Sequence, residues 1–246
     1  MSTSAEDLVQ AFHALSSWGP DEPARAAIRA FPKTYPRFEL MNLDDTESPA
    51  SSGCLAELLE SRRSARCFCG KEVEPSLVGA FVRILQTRAD ARSQMRRAIP
   101  SAGGLFTNEA YLLWRRSCGI QTAHLGTESR PLEFLWPTSN DEIRRAFPGE
   151  DWVSQCPLVV VITGRLGPSV ARYGARGYRF ALVEAGAYAM TISLIALEAG
   201  LSSCFVGGFD DAALCDLLDL KPHEAEFPLV SVAVGFSEVD EVRDTC

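Results

Sequence analysis

The longest apolar stretch of the chain covers residues 178–201, YRFALVEAGAYAMTISLIALEAGL. Glu184 and Glu198 are its only acidic side chains, so the pattern predicts a helix that is buried over most of its circumference. A membrane span is the first alternative, because about 20 apolar residues can cross a bilayer. Small and polar residues such as Gly186 and Ser193 interrupt the run too often for that. We therefore expect a central helix of a domain or a helix at a subunit interface, ending near Gly200.

Shorter patterns on both sides of this helix predict alternating strands and helices. The run of β-branched residues at 157–163 is typical of a buried central strand. Further strands are expected at residues 110–115, 132–136, 203–206 and 229–234. Helices are expected at residues 4–15, 25–31, 55–61, 76–88, 141–147 and 212–220, whereas 88–97 and 164–168 are interpreted as a loop and a turn.

The first 53 residues differ in composition from the rest. Residues 31–53 are rich in Pro, Ser, Asp and Thr, which favours an extended connector over a core element. We expect residues 1–53 to form a helical and extended arm and residues 54–246 to form one domain. Whether the arm docks a partner or wraps as a belt around a dimer stays open.

Composition narrows the function classes. Apolar content of 46% and charged content of 23% are ordinary for a globular protein, and the net charge of −8 argues against nucleic-acid binding. The eight cysteines contain no CxxC pair and the three histidines are far apart, so we expect no metal site. The N-terminus lacks a secretory signal pattern. These features favour a cytoplasmic protein with reduced thiols.

Three stretches carry candidate chemistry. The segment RRSARCF, residues 62–68, follows a predicted helix; it is either a solvated turn at the helix end or an anion clamp in which guanidinium groups grip phosphate oxygens. The segment PSAGGLF, residues 100–106, is either an ordinary glycine turn or a set of backbone amides that face a planar or anionic ligand. Gly207 and Gly208 leave backbone uncovered where a ligand can approach.

Four motifs taken together resemble the nitroreductase-like flavoenzymes: RRSARCF, PSAGGLF, RYGARGYRFALVEAG, and GLSSCFVGGFDDAALCDLL with its closing VAVG strand. They occur in the family's order and cover roughly residues 55–236. They look most like the SagB-type dehydrogenase branch, which includes oxidases of thiazoline and oxazoline rings in peptide natural products.

The resemblance implies an α+β fold with a central, mostly antiparallel sheet flanked by helices, and a homodimer with FMN at the interface. The residues implied to hold the FMN phosphate and ribityl chain are Arg62, Arg63, Ser64 and Arg66. Those implied to approach the isoalloxazine from the other subunit are Pro100, Ser101, Ala102 and Gly103. Those implied to lie by the ring edge are Val206, Gly207 and Gly208.

The resemblance also points to the catalytic pair. In that branch a lysine–tyrosine pair just before the GxRGYR stretch is associated with proton removal, and here the pair reads Arg172-Tyr173. An arginine stays protonated and cannot accept a proton, but it can stabilise a tyrosinate or an anionic substrate group. The alternative for Tyr173 is a packed turn residue.

Three hypotheses for function follow. The first is an FMN-dependent dehydrogenase that oxidises a thiazoline, oxazoline or related amino-acid-derived unit on a peptide or carrier-bound intermediate, with oxygen reoxidising the flavin. Other biosynthetic enzymes are candidate partners under this hypothesis. The second is an NAD(P)H-dependent reductase of nitro compounds, quinones or enones. The third is a non-catalytic scaffold subunit. None of them calls for nucleic acid or a membrane.

Overall fold

The structure, a computed structural model, describes residues 55–85, 97–126, 132–220 and 225–237, and the backbone of three short strands outside or between these ranges. Within these residues seven strands form one sheet in the order β1-β6-β5-β4-β7-β9-β8. The strands are β1 (Glu39–Met41), β4 (Asn108–Arg116), β5 (Gly119–His124), β6 (Leu132–Thr138), β7 (Leu158–Arg165), β8 (Ser202–Val206) and β9 (Glu226–Gly235). Two further strands, β2 (Arg88–Ala89) and β3 (Met95–Arg96), form a separate ladder.

Helices cover both faces of the large sheet, whose neighbouring strands are all antiparallel. The helices are α1 (Leu55–Ser61), α2 (Pro75–Leu85), α3 (Asn140–Ala146), α4 (Leu166–Tyr173), α5 (Arg176–Glu198) and α6 (Asp211–Leu217). Side chains alternate along β4: Leu112 and Trp114 pack with α2 and α5, while Tyr111 and Leu113 pack with α3 and α6. The predicted α+β class with an antiparallel sheet flanked by helices is confirmed.

The long apolar stretch forms α5, which packs on the sheet. It ends as predicted, because Gly200 adopts a positive φ of 74° and the Leu201 amide donates to the Ala196 carbonyl at 2.8 Å. By length and composition α5 could cross a membrane, but half of its most apolar window is buried inside the molecule. A buried core helix passes the same test, so the apolar run is weak evidence for a span.

Several predicted boundaries were wrong. The helix expected at residues 76–88 ends at Leu85, and the loop expected at 88–97 contains the ladder of β2 and β3. The strand β5 was not predicted, and the turn expected at 164–168 is the end of β7 followed directly by the start of helix α4. Pro168 is tolerated there because it lies in the first turn, where backbone amides have no helical acceptor.

The structure describes one short part of the N-terminal arm. Glu39–Met41, within the predicted extended connector, pairs with β6 at the edge of the sheet, so part of the connector is an edge strand. The helices predicted at residues 4–15 and 25–31 lie outside the described residues.

Candidate active site

The arginine-rich segment lies along the free edge of β8. Ser64 pairs with Ser203 in a parallel bridge, and the Ala65 amide donates to the Ser203 carbonyl at 3.1 Å. The next residues continue toward β9, where the Cys69 amide donates to the Phe236 carbonyl at 3.0 Å. Main-chain pairing therefore fixes the segment in an extended form at the sheet edge.

The arginines of this segment have different surroundings. Arg63 donates from Nη1 to the Glu60 and Arg62 carbonyls at 2.8 Å each. These bonds supply donors to carbonyl groups that have no helical partner at the end of α1. Arg62 Nη1 lies 3.4 Å from the Ser64 hydroxyl. Within the described ranges no carboxylate forms an ion pair with Arg62, Arg63 or Arg66, although the chain carries a net charge of −8. The segment therefore offers cationic donors to an anion.

The end of β8 supplies an open backbone edge beside these arginines. Gly207 and Gly208 are exposed, and a Cβ on Gly207 would meet nothing within 4 Å. A Cβ on Gly208 would lie 3.5 Å from Glu150 Oε1, and Trp152 Nε1 donates to Glu150 Oε2 at 2.5 Å. Glu150 was missed because nothing in its local sequence pattern marks a site.

The bridge between Ser64 and Ser203 brings the two sets of residues together. It holds the arginine segment beside β8, and Gly207 and Gly208 follow directly after that strand. Burial raises the pKa of the Cys204 thiol on β8, and the charge of Arg66 offsets part of this effect. The predicted phosphate-binding and ring-edge residues thus lie at the same edge of the sheet.

A second group of predicted residues comes together around the PSAGGLF loop. Ala102–Gly104 forms a 3₁₀ turn in which Gly103 has a φ of 62°. Arg172 Nη1 donates to the Gly103 carbonyl at 3.2 Å. A Cβ on Gly103 would lie 2.2 Å from the Tyr173 hydroxyl oxygen, so only glycine fits against this tyrosine.

Close packing of α4 on α5 sets the position of the Arg172-Tyr173 pair. A Cβ on Gly177 would lie 2.5 Å from the Ser169 carbonyl carbon, and the Ser169 hydroxyl donates to the Gly177 carbonyl at 3.1 Å. The Tyr173 ring meets Phe180 edge-on, with 5.0 Å between centroids. Arg172 lies over the Tyr173 ring at 5.3 Å. Arg172 and Tyr173 therefore lie together beside the loop that contains Gly103.

Polar groups from α5 and β4 support the same loop from the interior. Arg97 Nη1 donates to the Asn108 carbonyl at 3.2 Å and to the Tyr188 hydroxyl at 2.5 Å. Glu184 is 3% exposed, and the Ser101 hydroxyl and the Asn108 backbone are near its carboxyl group. Sequence reasoning singled out Glu184 as a rare acid in an apolar helix but gave it no role.

A separate charged network lies on the opposite face of the sheet. His124 on β5 is fully buried between Glu133 Oε2 at 3.0 Å and Glu109 Oε2 at 3.2 Å. Arg165 Nη1 approaches Glu109 Oε1 at 3.3 Å. His124 is thus held by carboxylates on both neighbouring strands.

Within one chain, the loop of residues 100–106 lies apart from the arginine segment and the two glycines after β8. The loop precedes β4 and the arginine segment flanks β8, and these strands are three positions apart in the sheet. At the usual spacing between strands that separation is about 14 Å.

The residues present fit a planar cofactor that carries a phosphate. The arginine segment supplies fork-shaped cationic donors with no carboxylate paired to them in the described ranges, which suits a phosphate. The bare backbone at Gly207 and Gly208 allows close approach of a flat ring.

Comparison with known proteins identifies the family. The model of the nitroreductase family matches residues 59–236. The chain belongs to the nitroreductase family. Its members are flavin-dependent oxidoreductases, so this chain is an oxidoreductase of that family.

Individual relatives are distant. A protein of Methanocaldococcus jannaschii that bears the name nitroreductase is 25% identical over 184 residues, which cover 74% of this chain and 90% of the relative. A crystal structure from Anabaena variabilis, whose protein bears the name nitroreductase, has a TM-score of 0.76 at 18% identity, and the match covers 97% of this chain. This chain spans 49% of the Anabaena protein, about half of its length.

A second similar structure is the microcin synthetase complex McbBCD of E. coli with truncated pro-MccB17 bound. Its matched chain has a TM-score of 0.59 at 20% identity, and the match covers 93% of this chain and 91% of that one. At these identities the structural matches establish the fold.

Proposed function

We propose that this oxidoreductase is an FMN-dependent dehydrogenase of the SagB type. Its substrate is a thiazoline, an oxazoline or a related amino-acid-derived unit on a peptide or carrier-bound intermediate, and oxygen reoxidises the flavin. The observation that carries the proposal is the contact of the Arg172-Tyr173 pair with Gly103. It puts an ionisable phenol on the loop that the resemblance assigns to the flavin ring.

In this proposal, residues of two subunits together form the cofactor site. Arg62, Arg63, Ser64 and Arg66 hold the phosphate and ribityl chain of FMN, and the backbone at Val206, Gly207 and Gly208 lies by the ring edge. Residues 100–103 come from the second subunit. The separation of about 14 Å between β4 and β8 within one chain supports this arrangement. The protein is then a cytoplasmic homodimer.

The chain's own residues orient the substrate and move one proton. When bound, FMN supplies the hydride acceptor and passes the electron pair to oxygen. Oxidation of an azoline ring also removes a proton, which we assign to Tyr173 Oη. Arg172 cannot accept that proton, but its fixed positive charge lies 5.3 Å over the Tyr173 ring, where it attracts negative charge that develops during the reaction. The 3.2 Å hydrogen bond from Arg172 to Gly103 ties this charge to the loop.

The peptide class of substrate is supported by one structural neighbour. The E. coli microcin synthetase complex holds truncated pro-MccB17, and its matched chain is covered almost completely by this one. A chain with the same fold thus belongs to a complex that binds a peptide. Peptides that carry thiazoline or oxazoline rings are therefore the first substrates to test.

Substitution of Tyr173 tests the mechanism. Tyr173→Phe should lower azoline oxidation at least about 100-fold, the range in which a positioned proton acceptor contributes, while flavin content stays unchanged. Arg172→Lys, which restores the residue of the resembled branch, should keep activity. Turnover is measured as oxygen consumption with azoline peptides. Near-normal turnover of Tyr173→Phe would remove Tyr173 from the mechanism.

An anaerobic spectrum separates the proposal from the alternatives. We expect a yellow protein whose flavin stays oxidised when NADPH is added. Rapid bleaching by NADPH would make the protein an NAD(P)H-dependent reductase. A colourless protein that takes up no FMN would favour a non-catalytic subunit.

A further inference from the structure

We propose that Glu184 is a positioning residue of the flavin site, one that acts from the protein interior on the loop of residues 101–104. The inference rests on the proposed function, because it concerns the same loop. Glu184 does not touch the proposed ring site; it acts through Ser101 and Asn108. Its carboxyl group therefore controls how well the loop is preorganised for FMN.

The first observation is an incomplete set of hydrogen bonds behind the loop. Glu184 is 3% exposed and Asn108 is fully buried, yet Glu184 Oε1 and Asn108 Oδ1 have no hydrogen-bond partner among the residues that the structure describes. The Asn108 side-chain amide donates to Ala181, one helical turn before Glu184. Both unpaired oxygens are acceptors, and a buried acceptor without a donor is unfavourable. A hydrogen carried by the Glu184 carboxyl group would supply a donor in this part of the interior.

The second observation is that Arg97, which precedes the loop, contacts residues that follow it. Arg97 precedes the loop, and its guanidinium lies 4.8 Å from the ring centroid of Phe106, which follows it. The same group donates to the Asn108 carbonyl and the Tyr188 hydroxyl. Phe106 has a φ of 49°, and its amide donates to the Ser101 hydroxyl at 2.8 Å. The loop is thus tightly wound and depends on its support from α5.

The third observation concerns the charge state of this support. Burial raises the pKa of Glu184, and Ser101, Arg97 and the Asn108 backbone offset only part of that effect, while Glu109 adds to it. Tyr188, one turn along α5, has its pKa raised to about 12 by burial and stays a neutral phenol. The charged groups that act on Glu184 are Arg97, behind the loop, and Glu109, from the other face of the sheet. When Glu184 loses its proton, a negative charge appears behind the loop and the donor disappears.

The test compares FMN affinity across pH in four proteins. Flavin fluorescence quenching gives the Kd for FMN of the full chain at pH 6 and pH 9, for wild type, Glu184→Gln, Glu184→Ala and Glu198→Gln. Glu198 is the matched control, because it lies on the same helix, is half-buried and is remote from the loop. Thermal unfolding confirms that each variant is folded.

We expect Glu184→Gln, whose amide copies a neutral acid, to bind FMN within about threefold of wild type at pH 6. Glu184→Ala should bind about tenfold more weakly, the factor that corresponds to one lost buried hydrogen bond. Wild type and Glu198→Gln should lose more affinity than Glu184→Gln between pH 6 and pH 9. A purely structural glutamate would show no such difference in pH dependence.

Two other results are decisive. Equal changes in Kd with pH for wild type and Glu184→Gln would overturn the positioning role, while FMN binding by wild type would leave the proposed function standing. This comparison holds even when Glu184→Ala does not fold. A wild-type protein that binds no FMN would overturn both proposals.

Discussion

The contact between Gly103 and Tyr173 shows what a single residue contributes to this site. Gly103 combines a positive φ with a neighbour that leaves no room for a Cβ. Gly104 has nearly the same φ, 64°, but nothing lies within 4 Å of its Cβ position. Backbone conformation and side-chain contact can therefore be separated by comparing the two glycines.

Substitution of each glycine by alanine tests this contact. Both changes force alanine into a positive φ, which costs about 1 kcal/mol of stability. Only Gly103→Ala should also displace Tyr173 and lower azoline oxidation, by about tenfold or more, because small shifts of a reacting group are costly. Turnover and chemical denaturation of both variants check this. Equal losses of turnover would mean that the Tyr173 contact is irrelevant.

At the scale of the strands, the network around His124 makes stability depend on pH. Burial, the largest single effect, lowers the pKa of His124, but the hydrogen bonds that it donates to Glu109 and Glu133 and the charges of these carboxylates outweigh burial, and the pKa is raised. The stabilisation is fully present below the ordinary histidine value and is lost as pH rises through the raised one. Burial raises the pKa of Glu109, but His124 and the nearby arginines outweigh it, so its net shift is downward and its own contribution is lost only in acid.

Replacement of His124 should reveal the pH range over which this stabilisation is lost. His124→Gln removes the cation that lies between the buried carboxylates of Glu109 and Glu133, and should cost about 3 kcal/mol at pH 6. The cost should be smaller at pH 9, because the stabilisation from the raised pKa of His124 is fully present only below the ordinary histidine value. Urea unfolding of both proteins at the two pH values measures it. A loss that is equal at pH 6 and pH 9 would show that His124 is not charged in the folded protein.

At the scale of the whole molecule, α5 is not covered on all sides. Leu182 is 41% exposed and Val183 is 74% exposed, and Val170 on the adjacent α4 is 41% exposed. Exposed apolar residues that cluster on one side mark a site of association. This surface is where we place the contact of the predicted homodimer.

A charge on this surface tests the dimer. Val183→Asp should convert the dimer to a monomer and lower FMN content, because the proposed cofactor site uses residues of both subunits. Light scattering after gel filtration and the flavin absorbance measure both effects. Ala212→Asp, at an exposed position in the first turn of α6, is the control and should change neither. A flavin-loaded monomer would contradict the two-chain site.

The sequence alone determined the parts of this protein that depend on local pattern. The apolar run that forms α5, the β-branched run that forms β7 and the ordered motifs of the family follow from short-range periodicity and from residue types. The α+β class and the nitroreductase family could therefore be predicted before the structure. The short strand β5 and the proline-containing helix α4 could not, because tertiary contacts and not local propensity stabilise them.

The tertiary structure decided which residues meet. Arg63 turns toward the end of α1 while Arg66 lies near β8, although the two are three positions apart in one motif. Glu184 is far from residues 101–108 in sequence, and only the packing of α5 beside β4 brings its carboxyl group behind the loop. Such contacts depend on how helices pack on a sheet, which a single sequence pattern does not contain. The surroundings of Tyr173 are a product of this packing.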